Sequence, residues 1–175
     1  MSTRISREDL LAEVTEEAPR QAAAAVRLSI AIAHQLGMSL ADVQCMGLLL
    51  DGPSAPSYLA ERLGLTTGAM TKVLDRLERA GYINRSADPS DRRRVVIAAE
   101  PAGLAELGRY YGPIGQRTAA YLAGRTAAEL ETILTFMRAG REAAEEEIAR
   151  VRGEGVRHAT RRRRDTVTPP DAAGR

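Results

Sequence analysis

The chain has 175 residues, of which 44% are apolar, 27% are charged and 3% are aromatic. This length allows one domain, or one domain with an appendage, and the apolar fraction excludes a wholly disordered chain. The single cysteine, Cys45, excludes an intramolecular disulfide framework and a zinc site built from several cysteines, so a reducing compartment, the cytoplasm, is expected. No apolar leader segment and no membrane-spanning apolar run is present in the sequence, so no membrane partner is expected.

The formal net charge of +2 conceals an uneven distribution of charge along the chain. Residues 57–99 carry 8 basic and 5 acidic side chains, and residues 150–175 carry 8 basic and 3 acidic ones. Residues 1–56 and 100–149 are both acidic on balance. Basic clusters attract a phosphate backbone, although small local imbalances are also common in proteins that bind no nucleic acid.

The N-terminal third is predicted to be helical. Residues 6–18 place apolar side chains at helical spacing, and Pro19 is expected either to interrupt this helix or to lie in the first turn of the next one. Residues 21–36 are apolar on nearly every face, so this helix must be buried by its own domain or by a second subunit. Gly37 is a suitable C-terminal stop.

Two short helices are predicted next. Ser39 and Asp42 have the spacing of a capping box, which predicts a helix over about 40–50. A second helix is predicted from Ser54 through Leu63.

The following turn and helix have the pattern of a helix-turn-helix. Gly64 suits the left-handed conformation of a tight turn, and Thr66 is a suitable N-cap for a helix over 67–80. The residues expected to face the core are Met70, Val73, Leu74 and Leu77. The residues expected to face outwards are Thr67, Gly68, Thr71, Lys72, Asp75 and Arg76.

A basic-tipped β-hairpin is predicted directly after this helix. Residues 82–85 and 94–98 are short and rich in β-branched side chains, and Asp88-Pro89 between them suits a type I turn. A helix-turn-helix followed by such a hairpin is a winged helix. The predicted fold class is therefore mainly α, with one small β-hairpin.

The C-terminal half resumes helical patterns. Residues 100–121 are predicted to be helical, with a kink or break at Gly112-Pro113. Thr126 begins a second capping-box spacing, which predicts a helix over about 127–151. Residues 153–175 lack apolar periodicity and are predicted to be a disordered basic tail.

Residues 57–99 resemble the DNA-binding lobe of the MarR family of transcriptional regulators. The resemblance is carried by LAERLGL, by TKVLDRLERAGYI and by the wing motif DPSDRR, and the order of helices also matches across residues 10–150. The resemblance implies a homodimer whose winged-helix lobes bind a pseudo-palindromic operator. Its implied boundaries are a domain over 1–152, with the lobe at 39–99 and dimerisation helices at 1–38 and 100–152.

The residues expected to contact double-stranded DNA lie on the recognition helix and on the wing. By resemblance, Asp91 holds the Arg93 side chain, whereas Arg76 is expected either to contact phosphate or to pair with an acid. The alternative is that these side chains form only a solvated surface. The full set is Thr66, Thr67, Gly68, Thr71, Lys72, Arg76, Asp91, Arg92 and Arg93.

A small-molecule pocket is a second expectation from the family. Its candidate lining residues, which are equally compatible with ordinary core, are His34, Met46, Tyr110 and Tyr111. A small aromatic or phenolic effector is the expected ligand. Cys45, surrounded in sequence by apolar residues, is expected to be a buried and inert thiol rather than an oxidant sensor.

The predicted function is a ligand-responsive transcriptional regulator, most simply a repressor. The alternative is a non-specific or architectural DNA-binding protein that uses the wings and the arginine run 161–164. An enzyme is not expected, since the sequence shows no Ser/His/acid set, no glycine-rich phosphate loop and no metal-ligand cluster. No cofactor and no metal are expected.

Overall fold

The computed structural model describes residues 5–88 and 91–165, with residues 154–165 as helical backbone alone. The described chain is mostly helical and contains one antiparallel hairpin. By its internal contacts it divides into two units, Met1–Gly115 and Gln116–Arg175. The elements are α1 (Arg7–Gln35), α2 (Leu40–Leu48), a 3₁₀ turn (Leu49–Asp51), α3 (Pro56–Leu63), α4 (Thr67–Arg79), β1 (Ile83–Ala87), β2 (Val95–Ala99), α5 (Pro101–Ala123) and α6 (Ala127–Asp165).

The first unit has one hydrophobic core, built around a helix-turn-helix and a hairpin, and this confirms the predicted fold class. Helices α2, α3 and α4 pack with the hairpin, and Ala33 of α1 and Leu107 of α5 join the same core. The side chains that are almost completely buried are Met46, Leu59, Met70, Leu77, Ile97 and Cys45. The core therefore joins the lobe to the end of α1 and the start of α5.

The turn between α3 and α4 has the predicted chemistry. Gly64 adopts a left-handed conformation with φ of 67°, which is accessible to glycine at little steric cost. The Thr66 hydroxyl accepts a hydrogen bond from the Ala69 N–H at 3.2 Å and so caps α4. All four residues predicted to face the core from α4 are buried.

β1 extends two residues beyond its predicted end at residue 85, β2 is shifted by one residue from its predicted range, and a third segment pairs with the hairpin. β1 and β2 are antiparallel, with a register from Ile83 opposite Ala99 to Ala87 opposite Val95. Ser54 exchanges two backbone hydrogen bonds of 2.9 Å with Ile97. The prediction that α3 starts at Ser54 is therefore wrong, because Ser54 belongs to the sheet and α3 begins at Pro56.

Continuous helices run through Pro19 and Pro113, so the alternatives that placed an interruption at Pro19 and a break at Gly112-Pro113 are wrong. Pro19 lies within α1 and Pro113 within α5. Proline removes one helical hydrogen bond and crowds the preceding turn, but both prolines are exposed, so water can satisfy the released carbonyl. The N-terminus of α1 is also stabilised, since Ser6 and Asp9 form a complete capping box.

The two predicted capping boxes are present, but two helix ends differ from prediction. Ser39 with Asp42 caps α2, and Thr126 with Glu129 caps α6. α2 ends at Leu48, where the chain tightens into the 3₁₀ turn.

α6 continues to Asp165 instead of ending near residue 151. Residues 152–165 include six arginines, and arginine is a good helix former. The remainder of the predicted disordered tail, residues 166–175, lies outside the described residues.

Large apolar side chains remain exposed on the long helices of both units. In α1 only Ser29, Ile32 and Ala33 are buried, although 11 of the 16 residues in 21–36 are apolar. The exposed large apolar residues of α1 and α6 are Leu10, Leu11, Val14, Val26, Ile30, Leu130, Leu134, Phe136, Met137, Ile148 and Val151.

The same helices do not qualify individually as membrane spans. Among the described residues, no single helix is long and apolar enough to cross a membrane. Arg7–Gln35 and Leu40–Asp51 reach the required length and apolar content only when taken together, and that pair is bent by 109°.

Candidate nucleic-acid interface

The outer face of α4 is open to solvent near its N-terminus. Thr66, Thr67, Gly68, Thr71 and Lys72 are all exposed, on the side opposite the buried stripe of the helix. The Thr71 hydroxyl donates to the Thr67 carbonyl at 2.9 Å, which leaves its oxygen lone pairs and its methyl group available to a ligand. Lys72 makes no hydrogen bond or ion pair within the described residues. This face therefore presents one ammonium group among small polar side chains.

The tip of the wing presents further positive charge. Arg92 and Arg93 are exposed, at the turn before β2. The Asp91 carboxylate accepts a hydrogen bond from the Arg93 backbone N–H at 3.1 Å and pairs with the Arg94 guanidinium at 3.4 Å. The expectation that Asp91 holds the Arg93 side chain is therefore wrong: the carboxylate fixes the backbone of the turn and the next arginine.

A concave surface joins the two basic regions. It lies between α3, the first half of α4 and the start of β2, and its polar lining comes from Ser57, Thr67, Thr71 and Arg94. Ser57 was not among the residues predicted from the sequence. The sequence does not mark Ser57 as a surface residue of this site, since a serine in the first turn of a short helix is common in any protein.

The two acidic residues of α4 pair with one arginine of the hairpin. Arg85 of β1 donates to Asp75 at 2.6 Å and to Glu78 at 2.7 Å. This pairing clamps the wing against α4, and the single positive charge of Arg85 offsets one of the two negative charges that would otherwise repel a phosphate backbone. Arg85 was not predicted from the sequence, because residues 10 and 7 positions apart in different elements have no fixed spacing rule.

Arg76 is paired with an acid, one of its two expected roles. Its Nη2 donates to Asp42 Oδ1 at 2.8 Å, and its Nε donates to Asp42 Oδ2 at 3.3 Å. Nη2 also lies 3.3 Å from the Ser39 hydroxyl, to which it donates. The Asp42 side chain is only 3% exposed, whereas that of Arg76 is 47% exposed. The recognition helix is thus tied to the first turn of α2.

A cavity of about 340 Å³ lies between α2 and α5, within the first unit. Of the four candidate pocket residues, Met46 and Tyr111 line this cavity, whereas His34 is exposed and neither His34 nor Tyr110 contributes to its wall. The Tyr111 hydroxyl is 2.9 Å from the Ser29 hydroxyl of α1, so this ring joins the cavity to α1. The remaining wall was not predicted from the sequence and consists of Val43, Gln44, Gly47, Leu50, Leu104, Leu107 and Gly108.

Known proteins match this chain in sequence. The family model described as MarR family matches residues 51–95. The HTH-type transcriptional regulator YcgE of Bacillus subtilis is 34% identical over 153 residues, which cover 87% of this chain and 99% of that protein. The chain belongs to the MarR family. The multiple antibiotic resistance protein MarR of Salmonella typhimurium is 35% identical over 66 residues, covering 38% of this chain and 42% of that protein.

Two solved structures share the fold of this chain. The transcriptional regulator Tm0710 of Thermotoga maritima superposes with a TM-score of 0.53 at 19% identity, covering 78% of this chain and 98% of that structure. RV1404 of Mycobacterium tuberculosis gives a TM-score of 0.55 at 23% identity, covering 82% of this chain and 98% of that structure.

As a MarR-family member, the protein is a DNA-binding transcriptional regulator rather than an enzyme. Within the described residues, no group of three or more His, Cys, Asp or Glu side chains is arranged to hold a metal ion.

Cys45 of this MarR-family chain is predicted to be unreactive. Burial raises the pKa of its thiol to about 12, and the Asp42 carboxylate adds to the rise. Since the thiolate is the reactive form, the native protein at pH 8 should resist iodoacetamide under conditions that fully alkylate the urea-unfolded chain. Mass spectrometry of the intact protein measures this, and equal alkylation rates for the native and unfolded chains would contradict the prediction.

Proposed function

We propose that the protein is a homodimeric, ligand-responsive repressor that binds a pseudo-palindromic operator. The observation that carries this proposal is the open basic surface made by the exposed face of α4 and the wing tip. Lys72, Arg92 and Arg93 supply its cationic groups, and they are exposed. In this proposal α4 enters the major groove, while the wing arginines contact the backbone or a narrow minor groove.

Each residue of the surface has a role in this proposal that suits its chemistry. Thr67 and Thr71 offer hydroxyl and methyl groups to base edges, and Lys72 reaches a guanine edge or a phosphate. A Cβ built on Gly68 would meet no atom within 4 Å, so the start of α4 lies in open space, and the absence of a side chain would let a phosphate approach its backbone N–H groups. Thr66 acts indirectly, because its hydroxyl already caps the helix.

The exposed apolar surface of the long helices supports a homodimer. Contiguous apolar surface on a soluble protein marks an interaction site, and a second copy of the chain offers the same surface by two-fold symmetry. Two-fold symmetry places two recognition helices on successive major grooves, about 34 Å apart.

The cavity between α2 and α5 supports response to a ligand. The side chains that line it carry no formal charge, and its polar groups are the Gln44 amide and the Tyr111 hydroxyl. A small aromatic or phenolic molecule would fill it with apolar contacts and a small number of hydrogen bonds. Such a ligand would lower operator affinity if it favours a different separation of the two recognition helices.

Binding to DNA tests the whole proposal. Fluorescence anisotropy at fixed salt compares a duplex from the region flanking the protein's own gene with an unrelated duplex of equal length. A large affinity ratio supports a specific regulator, whereas a ratio near one supports the alternative of a non-specific DNA-binding protein. Repeating the titration with small phenolic acids and with peroxide tests the cavity and Cys45 separately.

Arg93→Ala is expected to weaken binding to the flanking duplex by about 1–3 kcal/mol. The Arg93 side chain is exposed at the tip, and the Asp91 carboxylate fixes the backbone of the turn from which the guanidinium would reach DNA. Arg109→Ala is the matched control, since this arginine is 74% exposed but lies on α5 and pairs with Glu106. Anisotropy titrations at physiological salt measure both variants, and an unchanged affinity for Arg93→Ala would refute its contact with DNA.

A further inference from the structure

The pairing between Asp42 and Arg76 joins α2 to α4, the recognition helix. Asp42 lies in the first turn of α2, and Arg76 lies on the exposed side of the recognition helix, 34 positions later in the chain. The two side chains share two hydrogen bonds, which is the bidentate geometry that fixes both distance and orientation. A single hydrogen bond would leave the helices free to rotate about it.

Asp42 is also held firmly from its own side. Its Oδ2 atom accepts hydrogen bonds of 2.8 Å from both the Ser39 backbone N–H and the Ser39 hydroxyl. Its own backbone N–H donates to the Ser39 hydroxyl at 3.2 Å. The capping box therefore presents a carboxylate in one fixed orientation, and Arg76 binds to it.

Release of Arg76 to DNA would be unfavourable. The Asp42 side chain is 3% exposed, and a buried carboxylate that loses its cation is strongly destabilised. The sequence allowed Arg76 either a phosphate contact or an acidic partner, and the geometry favours the second. The 47% exposure of the Arg76 side chain does not by itself show whether Arg76 contacts a phosphate. The salt dependence of DNA binding does show it.

We propose that Asp42 is a positioning residue for operator recognition. Through Arg76 it fixes the rotation and the axial placement of α4 against α2, while Arg76 neutralises no phosphate. This inference rests on the proposed function, since it requires α4 to be the helix that reads the operator.

The test uses the full chain with Asp42→Asn, Arg76→Met and the double variant. The asparagine side chain retains an oxygen for the capping box, and the methionine side chain retains an unbranched apolar stem. Lys72→Ala, one turn earlier on the same face of α4, is the matched control for removal of a DNA-binding group. Dissociation constants are measured over a range of salt concentrations, with the duplex flanking the protein's own gene and with an unrelated duplex of equal length.

If Asp42 positions α4, each single variant binds the flanking duplex about tenfold more weakly, and the double variant is no weaker than the weaker single one. Affinity for the unrelated duplex falls less, and the slope of log K against log salt is unchanged in both single variants. Lys72→Ala, by contrast, reduces that slope by about 0.9 for each phosphate that is no longer neutralised.

Three results would overturn the inference. These are a reduced salt slope for Arg76→Met, tighter or unchanged binding by Asp42→Asn, and additive losses in the double variant. Far-UV circular dichroism and thermal melting establish folding. If Arg76→Met fails to fold, Arg76→Lys retains the charge and one hydrogen bond, and it is expected to bind the flanking duplex with intermediate affinity and the wild-type slope; wild-type affinity would overturn the inference.

Failure of the proposed function has a different signature. Equal affinity of the wild-type protein for the two duplexes refutes operator recognition. The salt slope with the unrelated duplex then still reports whether Arg76 contacts a phosphate, so the two failures are separable.

Discussion

Replacement of Leu134 and Met137 by glutamate is expected to convert the protein to a monomer and to lower operator affinity by about 10²–10⁴-fold. These side chains are 46% and 62% exposed on one stripe of α6, together with Leu130, Ile148 and Val151. A second subunit would bury them, and two glutamates on each side of a symmetric interface would place like charges against one another in an apolar setting. The loss of affinity follows because a monomer engages only one half-site.

The matched control is Thr132→Glu with Ala139→Glu. Both residues are exposed and lie on the opposite side of α6, so the control adds the same charge to the same helix. Glutamate is a good helix former, and neither double variant should lose helix content by circular dichroism. Sedimentation equilibrium measures the assembly state and anisotropy measures DNA affinity. A Leu134/Met137 variant that remains dimeric would show that this stripe is not the interface.

Local chemistry explains the part of the fold that could be predicted from sequence. Each helix cap joins residues three positions apart, so it can be predicted from the sequence alone. This holds for the capping boxes at Ser39 and Thr126 and for the Thr66 cap. The left-handed Gly64 and the buried stripe of α4 follow from equally short-range rules. The family motif then extended these local predictions to the whole lobe.

Long-range contacts explain what could not be predicted. The pairs Asp42–Arg76 and Ser54–Ile97 join residues with no characteristic spacing, and the cavity wall combines residues from α2 and α5. The low helix propensity of proline also gave a wrong prediction, since Pro19 lies inside a continuous helix. The DNA-contact residues stay predictions from motif and exposure, whereas Arg76 has acquired a partner that no motif indicated.

The start of α5 contains a close approach that makes one glycine necessary. A Cβ built on Gly103 would lie 2.8 Å from both the Cα and the carbonyl oxygen of Tyr82, and 2.9 Å from its Cδ1. The Tyr82 backbone has little freedom to move away. Its N–H donates to the Leu77 carbonyl at 2.9 Å, and its carbonyl accepts from the Glu100 N–H at 2.8 Å.

Gly103→Ala is therefore expected to lower the free energy of unfolding by about 1–3 kcal/mol, the usual effect of overpacking a well-packed site. At roughly 2–4 °C per kcal/mol, the melting temperature should fall measurably in a chain of this size. Gly108→Ala on the same helix is the control, because a Cβ there meets no atom within 4 Å, and alanine should raise stability by up to about 1 kcal/mol. Thermal and urea unfolding of the ligand-free protein compare the two variants. An equal gain in stability for both would show that the Tyr82 backbone moves away from α5 at no energetic penalty.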